Sequence, residues 1–146
     1  MQKSLLIIFT FGMILYSESY YPYIKFASKK YKVSEYLICR VIEVESNWKK
    51  NVVSRKGAVG LMQITEGVYI EFQKYNKDYD IFEMINYKVA MKNAEWNIIV
   101  GTWYLSYLIK YFTNINHSIS AYFWGISNIK KTNYNSKYRK KVLKSK

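Results

Sequence analysis

The stretch from residue 92 to 112 limits the fold more than any other part of the chain. It carries Trp96, Ile98, Ile99, Val100, Trp103, Tyr104, Leu105 and Leu108, so apolar side chains point almost all round a helix. Such a helix must be covered on several sides, which makes it a central element and not a surface one. Gly101 in its interior costs about 1 kcal/mol relative to alanine, a cost accepted where a neighbouring helix must come close.

The rest of the chain reads as further helices joined by short polar loops. Apolar periodicity predicts helices at about 22–30, 34–46, 66–76, 80–90, 92–112, 117–130 and 135–144. Strict alternation is confined to a few residues around Val52–Ser54, and the Gly-containing stretch Asn51 to Gly60 reads as a loop. The expected fold class is therefore mainly α. With 146 residues, half of them apolar, the chain suits one domain that buries roughly 70% of its unfolded surface. No disulfide or metal staple is needed. Cys39 is the only cysteine, inside a helical pattern, and reads as a small buried hydrophobe. His117 is the only histidine and has no partner base nearby in sequence, so a cap or surface role at a helix start fits it better than catalysis.

The N-terminus has a different character. Lys3 precedes the apolar run Leu5 to Tyr16, twelve residues long, whereas a membrane span needs about 20. The run has the length of a signal-peptide core, and Ser17 and Ser19 allow cleavage after Ser19. The organisation expected is a signal peptide or N-terminal anchor over 1–19 and a single domain over 20–146. Tyr20 and Tyr21 suit the anchored alternative, in which they mark a membrane interface. The formal charge is +13, from 23 basic and 10 acidic residues, and loss of residues 1–19 removes Lys3 and Glu18 and leaves it at +13. That balance favours anionic partners. Export argues against nucleic acid and leaves wall polymers or acidic headgroups, the latter reached through a basic face or an uncleaved N-terminus. The basic tail Lys137 to Lys146 reads as a solvated helix face.

One carboxylate is oddly placed. With Ser34 as N-cap, Leu37, Ile38, Val41 and Ile42 cover an arc of roughly 140° on a helical wheel. Glu45 falls inside that arc, about 80° from Leu37, while Glu43 points nearly the opposite way. Burial without a counter-charge raises a carboxyl pKa and keeps it protonated near neutral pH, as a general acid requires. The alternative is that Glu45, at the helix end, turns to solvent.

The residues after Glu45 carry a motif. Glu45-Ser46 is followed by Asn51-Val52-Val53-Ser54 and then by Gly57-Ala58-Val59-Gly60-Leu61-Met62-Gln63-Ile64. In this order and spacing the run closely resembles the lysozyme-like lytic transglycosylase family, the soluble lytic transglycosylase (SLT) domain. Further matches keep the family's order: Asn97-Ile98 with Gly101 and Tyr104-Leu105, Ala121-Tyr122 with Gly125, and Tyr138 before Val142-Leu143. Together they span about Val33 to Leu143.

The resemblance implies a lysozyme-like fold with a sugar-binding groove that takes peptidoglycan glycan strands. It implies cleavage of the β-1,4 bond between N-acetylmuramic acid and N-acetylglucosamine, leaving a 1,6-anhydromuramyl end. Glu45 matches the catalytic glutamate, which protonates the glycosidic oxygen and then accepts the proton of the muramyl 6-hydroxyl. The substrate N-acetyl group is held to stabilise the intermediate. Ser54 and Gln63 match polar groups that contact substrate, and Tyr122 matches a tyrosine whose hydroxyl points toward the reaction centre. Gly60, Leu61 and Met62 shape the loop and groove floor, Met62 serving as core or contact, and Tyr138 matches an active-site wall. No metal or organic cofactor is implied, and the expected form is an exported, periplasmic or envelope-associated monomer.

The chain departs from the family pattern at three places. Phe123, followed by Trp124, stands where the family has Asn and a small residue; helix spacing would put at least one of these rings in the core. Lys50 replaces a proline near Asn51, and Thr65-Glu66 replaces Met-Pro after Ile64. Glu66 reads as a first-turn residue after N-cap Thr65. It is also the spare carboxylate that a hydrolytic muramidase on the same fold would need to activate water. A peptidoglycan-binding scaffold that has lost turnover through Phe123 is a third reading, and a basic nucleic-acid binder a distant fourth.

Overall fold

A computed structural model describes residues 19–79, 85–129 and 137–144. The signal or anchor segment lies outside these residues, apart from Ser19, where described helical backbone begins. The fold is mainly helical. Helical backbone over 19–31 (α1) is followed by α2 (Glu35–Ser46), α3 (Glu66–Tyr75), the single turn α4 (Tyr87–Ala90) and α5 (Ala94–Phe112). Then come α6 (Ile115–Trp124), α7 (Ile126–Ile129) and α8 (Lys137–Leu143). Among the described residues the only β pairing is two isolated bridges, Val53 with Val59 and Val59 with Ile64.

α5 is the central helix. It packs on α6 and α3, while α8 lies across α2 and α6. Ile98, Ile99, Val100, Leu105 and Leu108 are all buried, and Phe72 of α3, Ile24 of α1 and Ile38 and Ile42 of α2 share the core. Each such side chain contributes roughly 1.5–3 kcal/mol by leaving water. Asn93 caps α5 by accepting the Trp96 N–H at 3.1 Å, and Ser34 caps α2 by accepting that of Leu37 at 3.2 Å. Cys39 packs partly buried against the core, and burial, with Glu35 nearby, pushes its thiol up to about 11, so it stays protonated and inert.

Several boundaries differ from the periodic reading. Of the helix expected over 80–90, residues 80–84 lie outside the described residues; the remainder forms α4, which starts after Asn86, whose side chain accepts the Lys88 N–H at 3.0 Å. The helix expected from 117 starts at Ile115, where Asn114 is the cap, so His117 is an exposed first-turn residue and not the cap. The same helix does not run on to 130: Gly125, at φ 82°, breaks it into α6 and α7. Gly101 does allow a close approach, but of a loop side chain. A Cβ there would lie 2.5 Å from Met62 Sδ and 2.7 Å from Met62 Cβ.

Candidate active site

α2 buries Leu37, Ile38, Val41 and Ile42, and Glu45 continues the same stripe into the last turn, where the helix reaches a cleft. Its carboxyl is largely covered, and burial raises its pKa to about 7. The Tyr138 hydroxyl donates to Glu45 Oε1 at 2.5 Å and pulls the pKa the other way, more weakly. Tyr138 is itself buried, and burial next to the Glu45 charge holds its phenol well above the ordinary value, so it acts only as a donor. Glu43, on the opposite side of α2, pairs with Arg40.

Tyr138 reaches Glu45 because α8 is fastened along α2. Arg40 Nε donates to the Val142 carbonyl at 3.3 Å, its Nη2 donates to the Lys141 carbonyl, and the Tyr36 hydroxyl donates to the Lys144 carbonyl at 3.1 Å. These bonds occupy carbonyls at the end of α8 that have no partner within the helix. On its inner side α8 buries Tyr138 and Val142, one helical turn apart. The basic tail is therefore more than a solvated face. Removing the hydroxyl with Tyr138→Phe takes away a bond that favours the charged carboxylate, so the Glu45 pKa should rise further. The alkaline limb of any Glu45-dependent activity should then move to higher pH, and a pH–rate profile that stays in place would contradict the assignment.

The cleft holds about 470 Å³ and is walled by Val44, Phe123, Trp124 and Tyr138, with Lys137 and Lys141 on its rim. Phe123 stacks on Tyr138 with ring centroids 4.6 Å apart and planes 21° apart. Neither Phe123 nor Trp124 belongs to the core, contrary to the spacing argument: they are 50% and 43% exposed. α6 ends at Trp124, so its last turn projects past the packed layer into the cleft. A second hollow of about 240 Å³ shares Phe123 and Trp124 and is lined beyond them by Gln63, Tyr104 and Tyr122.

The Gly-Leu-Met-Gln loop is a braced unit next to this second hollow. Gly60, at φ 83°, lies so close to α5 that a Cβ would sit 2.2 Å from Asn97 Nδ2 and 2.3 Å from the Met91 carbonyl. Leu61 and Met62 have no exposed surface. Gln63 Nε2 donates to the Gly60 carbonyl at 2.9 Å and the Val52 carbonyl at 3.2 Å. Ser54 Oγ accepts the Ala58 N–H at 3.0 Å. The Tyr122 hydroxyl donates to the Met62 carbonyl at 2.9 Å, and burial, with Glu45 nearby, holds this phenol well above its ordinary value. Thus Glu45 and Tyr138 meet directly, Ser54, Gln63 and Tyr122 hold the loop, and Leu61 and Met62 pack beneath it. Glu66 is a first-turn residue of α3 after N-cap Thr65 and lines neither hollow.

Two bracing residues were not assigned roles from sequence. Asn97 is fully buried; its Oδ1 accepts the Met62 N–H at 2.7 Å, and its Nδ2 donates to the carbonyls of Val59 and Met91, both at 2.9 Å. Its signal in the sequence is a lone amide beside the apolar run Ile98–Val100, since a buried amide needs partners. The Tyr87 hydroxyl lies 2.6 Å from the Ile64 carbonyl and 2.7 Å from that of Gly57, tying both ends of the loop to α4. Nothing in its local sequence marked it.

The family model described as the transglycosylase SLT domain matches residues 22–144. Membrane-bound lytic murein transglycosylase C of Photorhabdus laumondii is 33% identical over 97 residues, 63% of this chain and 25% of that protein. Endo-type membrane-bound lytic murein transglycosylase A of Citrobacter koseri is 34% identical over 87 residues, 56% of this chain and 39% of that protein. The crystal structure of the 70 kDa soluble lytic transglycosylase SLT70 from Escherichia coli superposes with a TM-score of 0.63 at 28% identity, covering 76% of this chain and 18% of that one. The matched region thus amounts to between a quarter and two fifths of these curated relatives.

Proposed function

Because this chain belongs to the transglycosylase SLT-domain family, we propose that it is a peptidoglycan lytic transglycosylase in which Glu45 is the acid and base. The observation that carries this reading is the cleft itself: Glu45 is its only carboxylate among the described residues, and burial brings that carboxyl to about 7. Protonated Glu45 gives its proton to the glycosidic oxygen as the bond to muramyl C1 breaks. The carboxylate so formed accepts the proton of the muramyl 6-hydroxyl, whose oxygen closes on C1 to form the 1,6-anhydro ring. The proton returns to Glu45 and no water is consumed. A glycosidase that uses water or a covalent intermediate needs two carboxyl groups across the bond. An intramolecular nucleophile needs one, and the placement of Glu66 outside the cleft supports that economy.

The decisive measurement is the chemistry of the ends. Residues 20–146 incubated with purified peptidoglycan should release fragments with 1,6-anhydromuramyl termini. Reducing muramic acid ends alone would replace this reading with a hydrolytic muramidase, and binding without release would replace it with a scaffold. The partner in this reading is the glycan strand, met by a monomer exported to the periplasm or held at the envelope. No helix among the described residues is long and apolar enough to cross a membrane. Attachment, if retained, falls to residues 1–19 or to the basic surface. The membrane-bound relatives and the exposed Tyr21 and Phe26 beside Lys25 and Lys30 on α1 support an envelope location.

A further inference from the structure

The cleft pairs two chemistries that a neutral sugar alone does not need. On one side Phe123 and Trp124 present half-exposed aromatic surface. On the rim stand Lys137 and Lys141, four residues apart on α8 and therefore on one face of it. Among the described residues, Glu45 is the only other charged side chain lining the cleft, and burial raises its pKa to about 7. A ligand in this cleft therefore meets aromatic faces suited to the apolar face of a sugar ring and a cationic edge suited to an anion beside it.

Resting on the glycan-cleaving reading above, we propose that Lys137 and Lys141 form a carboxylate-reading edge that recognises the acidic side branch of the muramyl unit while Phe123 and Trp124 carry the ring. The charge that the lysines meet has two sources in the same polymer. One is the carboxylates of the peptide stem, and the other is the free lactyl carboxylate left where that stem has been removed. Both place a negative charge on one branch of alternate sugars, whereas N-acetylglucosamine bears none. The pair thus sets which sugar is drawn to the cleft and in what register, on top of the chemistry at Glu45.

The test compares three glycans on the full chain: intact strands, strands stripped of peptide, and stripped strands whose lactyl carboxylates have been amidated. Turnover is followed, and binding of soluble oligosaccharides of each kind is measured in parallel with Glu45→Gln protein. Exposed lysine–carboxylate pairs are worth little singly, so two together should favour the charged strands by about three- to tenfold. That preference should appear in KM and in the binding titration, and should shrink with added salt. In K137Q/K141Q it should vanish, while K137R/K141R should keep it. K88Q/K92Q, which loses the same charge from exposed sites in and just after α4, should leave it unchanged. Preference for intact over stripped strands assigns the stem carboxylates, and the reverse assigns the lactyl group. Equal handling of charged and amidated strands by the wild-type chain overturns the proposal, as does a preference that survives K137Q/K141Q. Absence of turnover on every strand counts against the glycan-cleaving reading, and the binding titration still decides the lysine edge.

Discussion

Glu45→Gln should lower glycan cleavage by about a thousandfold or more, because one side chain serves as both acid and base and general acid–base steps contribute about 10²–10⁴ each. Glutamine keeps the shape and still offers an oxygen to the Tyr138 hydroxyl, so the cleft should persist. Stability should move in the other direction. Burial raises the Glu45 carboxyl from 4.5 to about 7, so between those values the folded chain holds a proton that the unfolded chain has lost. The favourable share of the neutral form is complete below pH 4.5 and disappears as pH rises through about 7. The difference corresponds to roughly 3 kcal/mol at 1.36 kcal/mol per unit. The variant has no charge to bury, so its stability advantage over the wild type should be small at pH 4.5 and grow to that size above pH 7. Urea titrations of both proteins at pH 4.5 and pH 8 check this. An equal gap at the two pH values would mean that Glu45 is not held neutral by the fold.

Asn97→Leu should damage the molecule more widely. The amide closes three bonds, at 2.7, 2.9 and 2.9 Å, to groups of the Gly-Leu-Met-Gln loop and the end of α4. Leucine fills similar space but leaves the Met62 N–H and the carbonyls of Val59 and Met91 without that partner. The Val59 carbonyl still accepts the Ile64 N–H at 2.9 Å, so the Met62 N–H and the Met91 carbonyl are the two groups left unpaired. At about 1–3 kcal/mol each, the loss should reach roughly 2–6 kcal/mol, a large part of the 5–15 kcal/mol that holds a domain together. A fall in Tm of roughly 10–20 °C is expected. Gly60→Ala strikes the same junction from the loop side, its Cβ reaching to within 2.2 Å of Asn97 Nδ2. The double variant should therefore lose much less than the sum of the two single losses. Additive losses would show that amide and glycine act independently.

How far the sequence could be read depended on what each signal measured. Periodicity found α2 and α5 because their apolar positions recur over three or more turns, and caps Ser34 and Thr65 marked starts that the structure keeps. It failed at Gly125, where one residue's positive φ overrides a weak pattern. Glu45 was legible as a carboxylate inside an apolar arc, but its partner was not derivable from the wheel: Tyr138 lies 93 residues away. The abundance of lysine in the tail hid the two inward positions, Tyr138 and Val142. Phe123 and Trp124 were misjudged because a helical wheel assumes a helix covered along its whole length, and α6 outruns its cover. Resemblance supplied names for Ser54, Gln63 and Tyr122. The bonds these residues make to the loop backbone belong to tertiary structure and had no local signature.

The fastening of α8 by Arg40 and Tyr36 has a consequence in time. The acid is made early, in α2, but the ring that orients it and the lysines at the rim belong to residues 137–144. A nascent chain therefore carries Glu45 until the ring that aims it is made 93 residues later. Only when residues 137–144 emerge and dock does the cleft acquire its second side. The cleft is therefore assembled from its acid outward, with the orienting ring added long after the residue it aims.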